Sequence, residues 1–200
     1  MNCDSCNATM VQVRGQNHSH CAACNGFHFP NDAASAEDSI VATGKVTEFQ
    51  CPKCRQALQV GKLRNMLDVC FCQNCRGFVI DNESLGQIIP ELRGSYQGQD
   101  DQPVPVDPKD LEQRTDCPAC QELMDSHPYY GPGNVVIDTC MNCRLAWMDH
   151  GELARIVRAP GVRPDSEKIG NYESAAIRQA LYDQAETRKG QALAMFFSNM

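Results

Sequence analysis

Six Cys-x-x-Cys pairs run along this chain of 200 residues and use twelve of its thirteen cysteines. In chain order the pairs are Cys3/Cys6, Cys21/Cys24, Cys51/Cys54, Cys72/Cys75, Cys117/Cys120 and Cys140/Cys143. Taken two at a time they form three units, in which 14, 17 and 19 residues separate the paired motifs. These gaps are close to the ~15–20 residues that separate the two halves of Cys₄ zinc sites. The sequence therefore predicts three tetrahedral sites and three Zn²⁺ ions per chain.

The composition explains why such a chain would need metal in order to fold. Hydrophobic residues make up 42% of it, but this figure includes the 13 cysteines, and only 6% of residues are aromatic. Burial of so little apolar surface is a weak driving force, whereas a structural zinc ion contributes roughly 10–16 kcal/mol of apparent binding free energy. The predicted fold is a small metal-stabilised α+β protein. It consists of three tandem zinc ribbons, each with short antiparallel strands and a short helix, followed by a C-terminal helix.

The predicted domain organisation follows the three units. Ribbon 1 spans residues 1–32 and is the most degenerate, and a spacer spans residues 33–48. Ribbon 2 spans residues 49–90, an acidic linker containing three prolines spans residues 91–115, and ribbon 3 spans residues 116–160. Residues 165–200 form the C-terminal helical segment, with a helix predicted over 171–189. An apolar patch over 192–197 follows, and it is predicted to dock internally or to contact an oligomer or partner.

Ribbons 2 and 3 continue alike after their last cysteine. Arg76-Gly77-Phe78-Val79-Ile80-Asp81-Asn82-Glu83-Ser84-Leu85 runs parallel to Arg144-Leu145-Ala146-Trp147-Met148-Asp149-His150-Gly151-Glu152-Leu153. With the Cys-Pro-x-Cys openings at Cys51 and Cys117, this pattern resembles the transcription factor IIB-type zinc ribbon of many bacterial proteins, CPxC followed by CxxCxGxWLDxGEL. The resemblance implies a zinc-binding fold module and carries no particular activity.

The departures of ribbons 2 and 3 from the family pattern include three that bear on packing and capping. Leu145 stands where the family has glycine, Val79 where it has tryptophan, and Ser84 where it has glutamate. Ribbon 1 shares the cysteines and Gly26 but not the opening proline.

Capping signals predict where the ribbon helices begin. Asp149 and Glu152 form an Asp-x-x-Glu variant of the capping box, with Asp149 as N-cap, and Asp81 is predicted to cap the matching helix in ribbon 2. Pro90 and Pro160 are predicted at the helix ends.

Four further residues have the chemistry of metal ligands. Cys70 lies two residues before Cys72 and is interpreted as a small semi-buried residue, the alternative being an extra ligand or a redox-sensitive thiol. His18, His20 and His28 crowd ribbon 1 and are interpreted as polar surface, because four cysteines are already available there. The alternative is that one imidazole replaces a thiolate.

The charge balance argues against generic nucleic-acid binding. The formal net charge is −7, and twelve thiolates on three zinc ions would bring it to about −13. Phosphate affinity comes mainly from lysine and arginine, and only ribbon 2 is basic, through Lys53, Arg55, Lys62, Arg64 and Arg76.

The predicted function is therefore a zinc-binding, non-enzymatic protein-interaction or scaffold module. Closed Cys₄ sites offer no open coordination position for a substrate, and the partner is expected to be another protein. One alternative is a nucleic-acid-binding or transcription-associated factor, and another is a thiol-redox or rubredoxin-like iron protein. The chain shows no secretory signal and no membrane-spanning run, so we expect it in the reducing cytoplasm.

Overall fold

The computed structural model describes residues 1–13, 18–30, 37–102, 105–129 and 133–163. Ribbon 1 forms a small antiparallel sheet of three strands within the described residues. These are β1 (Val11–Gln12), β2 (Ser19–His20) and β3 (Phe27–His28), which pair in that order. Each strand has only two residues, so the strands alone supply few hydrogen bonds.

A larger sheet contains seven strands and is built from both remaining ribbons. The strands are β4 (Ile40–Gln50), β5 (Ala57–Leu63), β6 (Leu67–Phe71), β7 (Phe78–Asp81), β8 (Asp125–Pro128), β9 (Val136–Cys140) and β10 (Leu145–Met148). Their order is β4-β5-β6-β7-β10-β9-β8, and all neighbours are antiparallel. Ribbons 2 and 3 therefore share one continuous sheet, and we call them together the fused pair.

The join between the two ribbons is a near-symmetric pairing of equivalent strands. The register of β7 against β10 pairs Phe78 with Met148, Val79 with Trp147, Ile80 with Ala146 and Asp81 with Leu145. Val79 and Trp147 occupy the same position of the repeated sequence, four residues after the last cysteine of their ribbons. The equivalent residues Val79 and Trp147 thus pair with each other at the centre, and the pairs on either side of them are related as they would be across a two-fold axis.

Two helices cover one face of this sheet. Helix α1 (Asn82–Ser95) follows β7, and the side chain of its N-cap, Asp81, accepts a hydrogen bond from the Ser84 amide at 2.9 Å, as predicted. Helix α3 (Glu152–Arg158) follows β10. Alternate strand residues pack with both helices in one apolar core, which contains no cysteine. Its buried members are Leu63, Val69, Phe78, Ile80, Leu85, Ile88, Ile89, Leu92, Val135, Ile137, Ala146, Met148, Leu153, Ile156 and Val157.

The opposite face of the sheet carries the sulfur atoms. The intervening strand residues Val79, Leu145 and Trp147 lie there with Leu58 and Met124, and they pack against the cysteines of both ribbons. This two-sided arrangement follows from the alternation of side chains along a strand.

The predicted short helix in each ribbon is found in ribbons 2 and 3 but not in the described residues of ribbon 1. The predicted helix end at Pro90 is wrong, since α1 continues to Ser95 with Pro90 inside it. Proline removes one helical hydrogen bond, but buried Ile88, Ile89 and Leu92 fix the helix on the core on both sides of it.

The described parts of the segments predicted as spacer and linker also contain regular structure. Residues 40–48 of the spacer belong to β4, and Glu37 forms an ion pair with Arg158 at 2.8 Å. Linker residues form the end of α1 and the short helix α2 (Pro108–Leu111). Arg93 is buried and donates hydrogen bonds to the carbonyls of Ile156 and Ala159 at 2.6 and 3.1 Å. The acidic, proline-containing composition predicted a linker here, but its first residues belong to a helix that packs on ribbon 3.

The predicted C-terminal helix and apolar patch lie outside the described residues. None of the helices that the structure describes is long and apolar enough to cross a membrane.

Candidate metal centres

Three groups of four sulfur atoms lie where the cysteine spacing placed them. They are Cys3, Cys6, Cys21 and Cys24; then Cys51, Cys54, Cys72 and Cys75; then Cys117, Cys120, Cys140 and Cys143. We call them sites 1, 2 and 3. Within each group the ligand atoms all lie within 4.8 Å of one another.

The distances between sulfur atoms fit metal coordination and not disulfides. Sulfur pairs lie 3.5 Å apart in site 1, 3.4 and 3.5 Å apart in site 2, and 3.6 Å apart in site 3. A tetrahedral zinc ion with Zn–S bonds of about 2.3 Å holds its sulfurs about 3.8 Å apart, whereas a disulfide bond is about 2.05 Å long. None of the thirteen cysteines forms a disulfide bond.

The same turn presents the cysteines in all six pairs. The residue directly after the second cysteine has a positive φ of 55–62° in every case: Asn7, Asn25, Arg55, Arg76, Gln121 and Arg144. In the second pair of ribbon 2, for example, the amide of Cys72 bonds to the Gly77 carbonyl and the Arg76 amide bonds to the Cys72 carbonyl. Only asparagine among these residues favours this backbone region, so the sequence signalled two of the six turns.

The three sites differ in how deeply their sulfurs lie. In site 1, Cys6 and Cys24 are exposed, whereas in site 2 three cysteines are buried and Cys54 is half-buried. In site 2 the neighbouring thiols Cys51 and Cys75 donate to Cys72, which holds its pKa well below the usual range. A cysteine that ionises readily is suited to bind metal as the thiolate.

Cys70 is not a ligand of any of these groups. It is 2% exposed and pairs with Val79 across β6 and β7, and burial raises the pKa of its thiol to about 12. Cys70 is therefore a core residue, as interpreted from the sequence, and it is more deeply buried than expected.

The histidines of ribbon 1 are not ligands either, but the prediction that all of them are polar surface is wrong for His18. His18 is buried, with its ring centroid 5.0 Å from that of Phe29 and 5.4 Å from that of His150. Arg76 lies over Phe29 at 4.1 Å from the ring centroid. Ribbon 1 thus packs on residues of both other ribbons, a contact that no local sequence pattern signals.

Lys53 joins ribbon 2 to ribbon 3 beside site 2. Its Nζ lies 3.3 Å from Asp149 and 3.5 Å from Asp138, and it donates to Gln113 at 2.9 Å and Thr115 at 3.2 Å. Burial opposes the charge of Lys53, but Asp149 and Asp138 raise its pKa above the usual value.

The predicted capping box forms only in part. The carboxylate of Glu152 accepts from the Asp149 amide at 2.8 Å, as in a capping box. The N-cap of α3 is Gly151, and the carboxylate of Asp149 instead accepts from the indole of Trp147 at 2.7 Å and faces Lys53. The tryptophan and aspartate of the repeated pattern therefore bond to each other.

Two of the departures from the family pattern, Val79 and Leu145, lie diagonally across the pair of strands β7 and β10. A Cβ atom added at Gly77 would lie 2.5 Å from Cζ2 of Trp147, so the large ring requires glycine in the neighbouring ribbon. By the pairing symmetry, Leu145 has the same position relative to Val79 as Gly77 has relative to Trp147. The side chains of Leu145, Val79 and Trp147 belong to one buried cluster. Leucine thus replaces the glycine where valine replaces the tryptophan.

Comparison with known proteins identifies the third ribbon. Residues 116–159 match a family model described as a transcription factor zinc-finger, the zinc ribbon of the transcription factor IIB type. No curated protein and no solved structure matches the chain. Together, the three Cys₄ groups and this match define three zinc sites, one in each ribbon.

Proposed function

We propose that this protein is a non-enzymatic protein-interaction module in which three zinc ions are structural. Each predicted ion takes four cysteine sulfurs, and this fills a tetrahedral coordination shell. A catalytic zinc keeps one position open for water or substrate. The metal sites thus favour a structural role for zinc, with function carried by the surfaces that it holds in place.

We favour a protein partner over nucleic acid because basic residues of ribbon 2 already contact other residues of the chain. Lys53 is held by Asp138 and Asp149, as described above. Lys62 pairs with Asp68 at 2.8 Å, Arg55 with Asp116 at 3.1 Å, and Arg76 stacks on Phe29. Nucleic-acid affinity depends on cations that neutralise phosphates, and these four cations already have partners within the chain.

Strand β4 offers a sheet edge, a kind of surface through which proteins bind one another. It lies at the edge of the larger sheet and pairs with β5 on one side only, within the described residues. Val41 and Val46 on this strand are 52% and 57% exposed. A sheet edge with exposed β-branched residues can accept an extended strand from another protein.

A transcription-associated role is the second candidate, and the family match at residues 116–159 favours it. A zinc ribbon in such a role would contact either nucleic acid or a protein of the transcription machinery. The acidic charge of the chain favours the protein contact, which is compatible with our proposal.

Two binding measurements test the proposal. Fluorescence anisotropy with labelled DNA and RNA at 50 mM salt is expected to show no binding at micromolar protein. Capture from an extract of the native cell is expected to retain a defined protein, and V46K is expected to lose it. Met66→Lys is the matched control, because Met66 is also exposed but lies outside the strands. Nucleic-acid binding that weakens steeply with salt, or V46K and M66K behaving alike, would overturn the proposal.

A further inference from the structure

Site 1 presents more of its sulfur to solvent than the other two metal sites do. Cys6 and Cys24 are exposed there, whereas site 3 exposes only Cys120 and site 2 exposes none of its cysteines. The two exposed cysteines of site 1 come from different Cys-x-x-Cys pairs, so small molecules in solution reach both halves of the site. Exposure and thiolate character together decide which cysteines are oxidised. Site 1 is therefore the most accessible of the three sites to an oxidant.

The surroundings of equivalent turns differ in the same direction. Gly26 and Gly77 each lie two residues after the last cysteine of their ribbon. A Cβ atom added at Gly77 would meet Trp147, which covers that turn from the neighbouring ribbon. A Cβ atom added at Gly26 would meet, apart from its chain neighbours, only sulfur atoms of the site itself: Sγ of Cys24 at 3.3 Å and Sγ of Cys3 at 3.7 Å. Among the described residues, site 1 thus lacks the cover that Trp147 gives to ribbon 2.

Site 1 also has few packed neighbours to keep its ligands in place. Its buried ligands Cys3 and Cys21 form a cluster with Met10 and the partly buried Ala8. The cysteines of sites 2 and 3 instead share a cluster with the buried side chains of Leu58, Val60, Val79, Met124, Leu145 and Trp147. A segment with few buried contacts opens locally at a low free-energy cost. Site 1 is therefore expected to exchange its ion most readily, and its thiols can react while they are free of metal.

Each exposed sulfur of site 1 lies next to a buried sulfur from the other Cys-x-x-Cys pair. The Sγ atoms of Cys24 and Cys3 lie 3.5 Å apart, and those of Cys6 and Cys21 also lie 3.5 Å apart. An approach of about 1.5 Å within each pair would reach the disulfide bond length of about 2.05 Å. Two disulfides can thus form side by side, and they would join the same two turns that the metal ion joins.

We propose that site 1 is a reversible oxidation site, in which hydrogen peroxide converts the metal-free thiols into the disulfides Cys3–Cys24 and Cys6–Cys21. In each pair the exposed thiolate attacks one peroxide oxygen, so an S–O bond forms, the O–O bond breaks and hydroxide leaves. The neighbouring thiolate then attacks the sulfenic sulfur, which forms the S–S bond and displaces a second hydroxide. Each disulfide thus takes two electrons from sulfur to reduce one peroxide, and a dithiol reductant reverses it. The oxidised site 1 no longer binds zinc.

The test is treatment of the zinc-loaded full chain with excess hydrogen peroxide at pH 7.5, followed by metal analysis and a thiol count on the desalted protein. We expect each chain to lose one zinc ion about tenfold faster than the other two, together with four thiols, because exposure governs oxidation. Added zinc should slow this loss and added magnesium should not, since the reaction requires metal-free thiols. Loss of all three ions at one rate, or no protection by zinc, would overturn the proposal.

Peptide mapping identifies the oxidised cysteines. After the remaining thiols are alkylated in denaturant, trypsin separates peptides 1–14 and 15–45, which carry the two halves of site 1. We expect these peptides to be joined, fragmentation to give the two proposed pairings, and dithiothreitol to restore four thiols and the uptake of one zinc ion. A disulfide within either peptide, or oxidation that begins at Cys120, would overturn the proposal.

Cys70→Ala is the matched control, because Cys70 is the one cysteine outside the three metal groups. This variant is expected to lose the same single ion at the same rate, together with the same four thiols. Loss of fewer thiols than in the unaltered chain would make Cys70 a reacting group and overturn the proposal. The experiment needs no partner protein, so its failure would leave the proposed interaction function standing.

Discussion

Ribbon 1 and the fused pair build the same kind of metal site on very different supports. The buried cluster of ribbon 1 consists of Cys3, Met10 and Cys21, with Ala8 partly buried beside it, so two of its three buried members are metal ligands. The fused pair instead has a helix-covered core of fifteen buried residues that includes no cysteine. The zinc site thus makes up most of the interior of ribbon 1. In the fused pair, the zinc sites lie on one face of a sheet whose other face has an apolar core of its own.

Metal removal is expected to have the largest effect, and to affect ribbon 1 much more than the fused pair. A strong chelator should abolish amide hydrogen-exchange protection throughout ribbon 1, because little apolar burial remains there without metal. The amides of β7, β10, α1 and α3 should keep measurable protection, because their core does not contain the ligands. Protection that survives in ribbon 1, or that disappears equally everywhere, would contradict the contrast.

Cys70, which lies in β6, and Cys72, in the turn that follows, allow a sharper test within the fused pair. Cys72→Ser is expected to lower the zinc content from three ions to two, because it removes a ligand of site 2. Cys70→Ala is expected to retain three ions and to cost about 1 kcal/mol of unfolding free energy, through the small cavity left by its sulfur. Metal analysis and urea unfolding measure both effects. Loss of zinc from the Cys70 variant would make that residue a ligand.

Substitutions at Val79 and Leu145 test whether ribbons 2 and 3 pack as one unit. Val79→Trp overfills the space beside Leu145, and Leu145→Gly leaves a cavity, so each single variant is expected to lose about 1–3 kcal/mol. The double variant restores the tryptophan–glycine arrangement seen at Trp147 and Gly77. We expect a favourable coupling free energy of about 0.5–3 kcal/mol from a double-mutant cycle. Strictly additive losses would show that the two positions do not share packing.

Acid should weaken the contact between ribbon 1 and the fused pair, and this is the smallest effect expected. Burial lowers the pKa values of His18 and His150 to about 4, from 6.5. The unfolded chain therefore binds more protons below pH 6.5, so this contribution to stability is complete above 6.5 and is lost as the pH falls towards 4.

Urea unfolding between pH 7.5 and 5 measures this pH effect. His150→Phe keeps an aromatic ring against Phe29 and removes one titrating group, so its stability should fall less steeply with acid. If the unfolding free energies of the wild-type chain and the His150→Phe variant fall equally with acid, His150 is not a cause of the pH dependence.

The parts of this structure that could be predicted from sequence are those with local causes. The spacing of twelve cysteines identified the ligands, and Asp81 signalled the start of α1 because capping acts over three residues. The pairing of β7 with β10 had no such signal. Alternation along Phe78, Val79 and Ile80 shows which side chains share a face, but it does not name the neighbouring strand.

The docking of ribbon 1 on the other ribbons could not be predicted for the same reason. It brings together residues as distant in sequence as His18 and His150. Lys53 reads locally as part of a basic ribbon surface, yet the shared sheet places it among carboxylates of ribbon 3.

The metal content of the native protein, measured together with its thiol count, tests the central claim most directly. We predict three zinc ions per chain, a colourless protein, and twelve thiols that become reactive only when the metal is removed. Cobalt(II) substitution should give the absorption of tetrahedral thiolate coordination at three equivalents. Bound iron, fewer than three ions per folded chain, or cysteines linked to one another as disulfides would contradict the account.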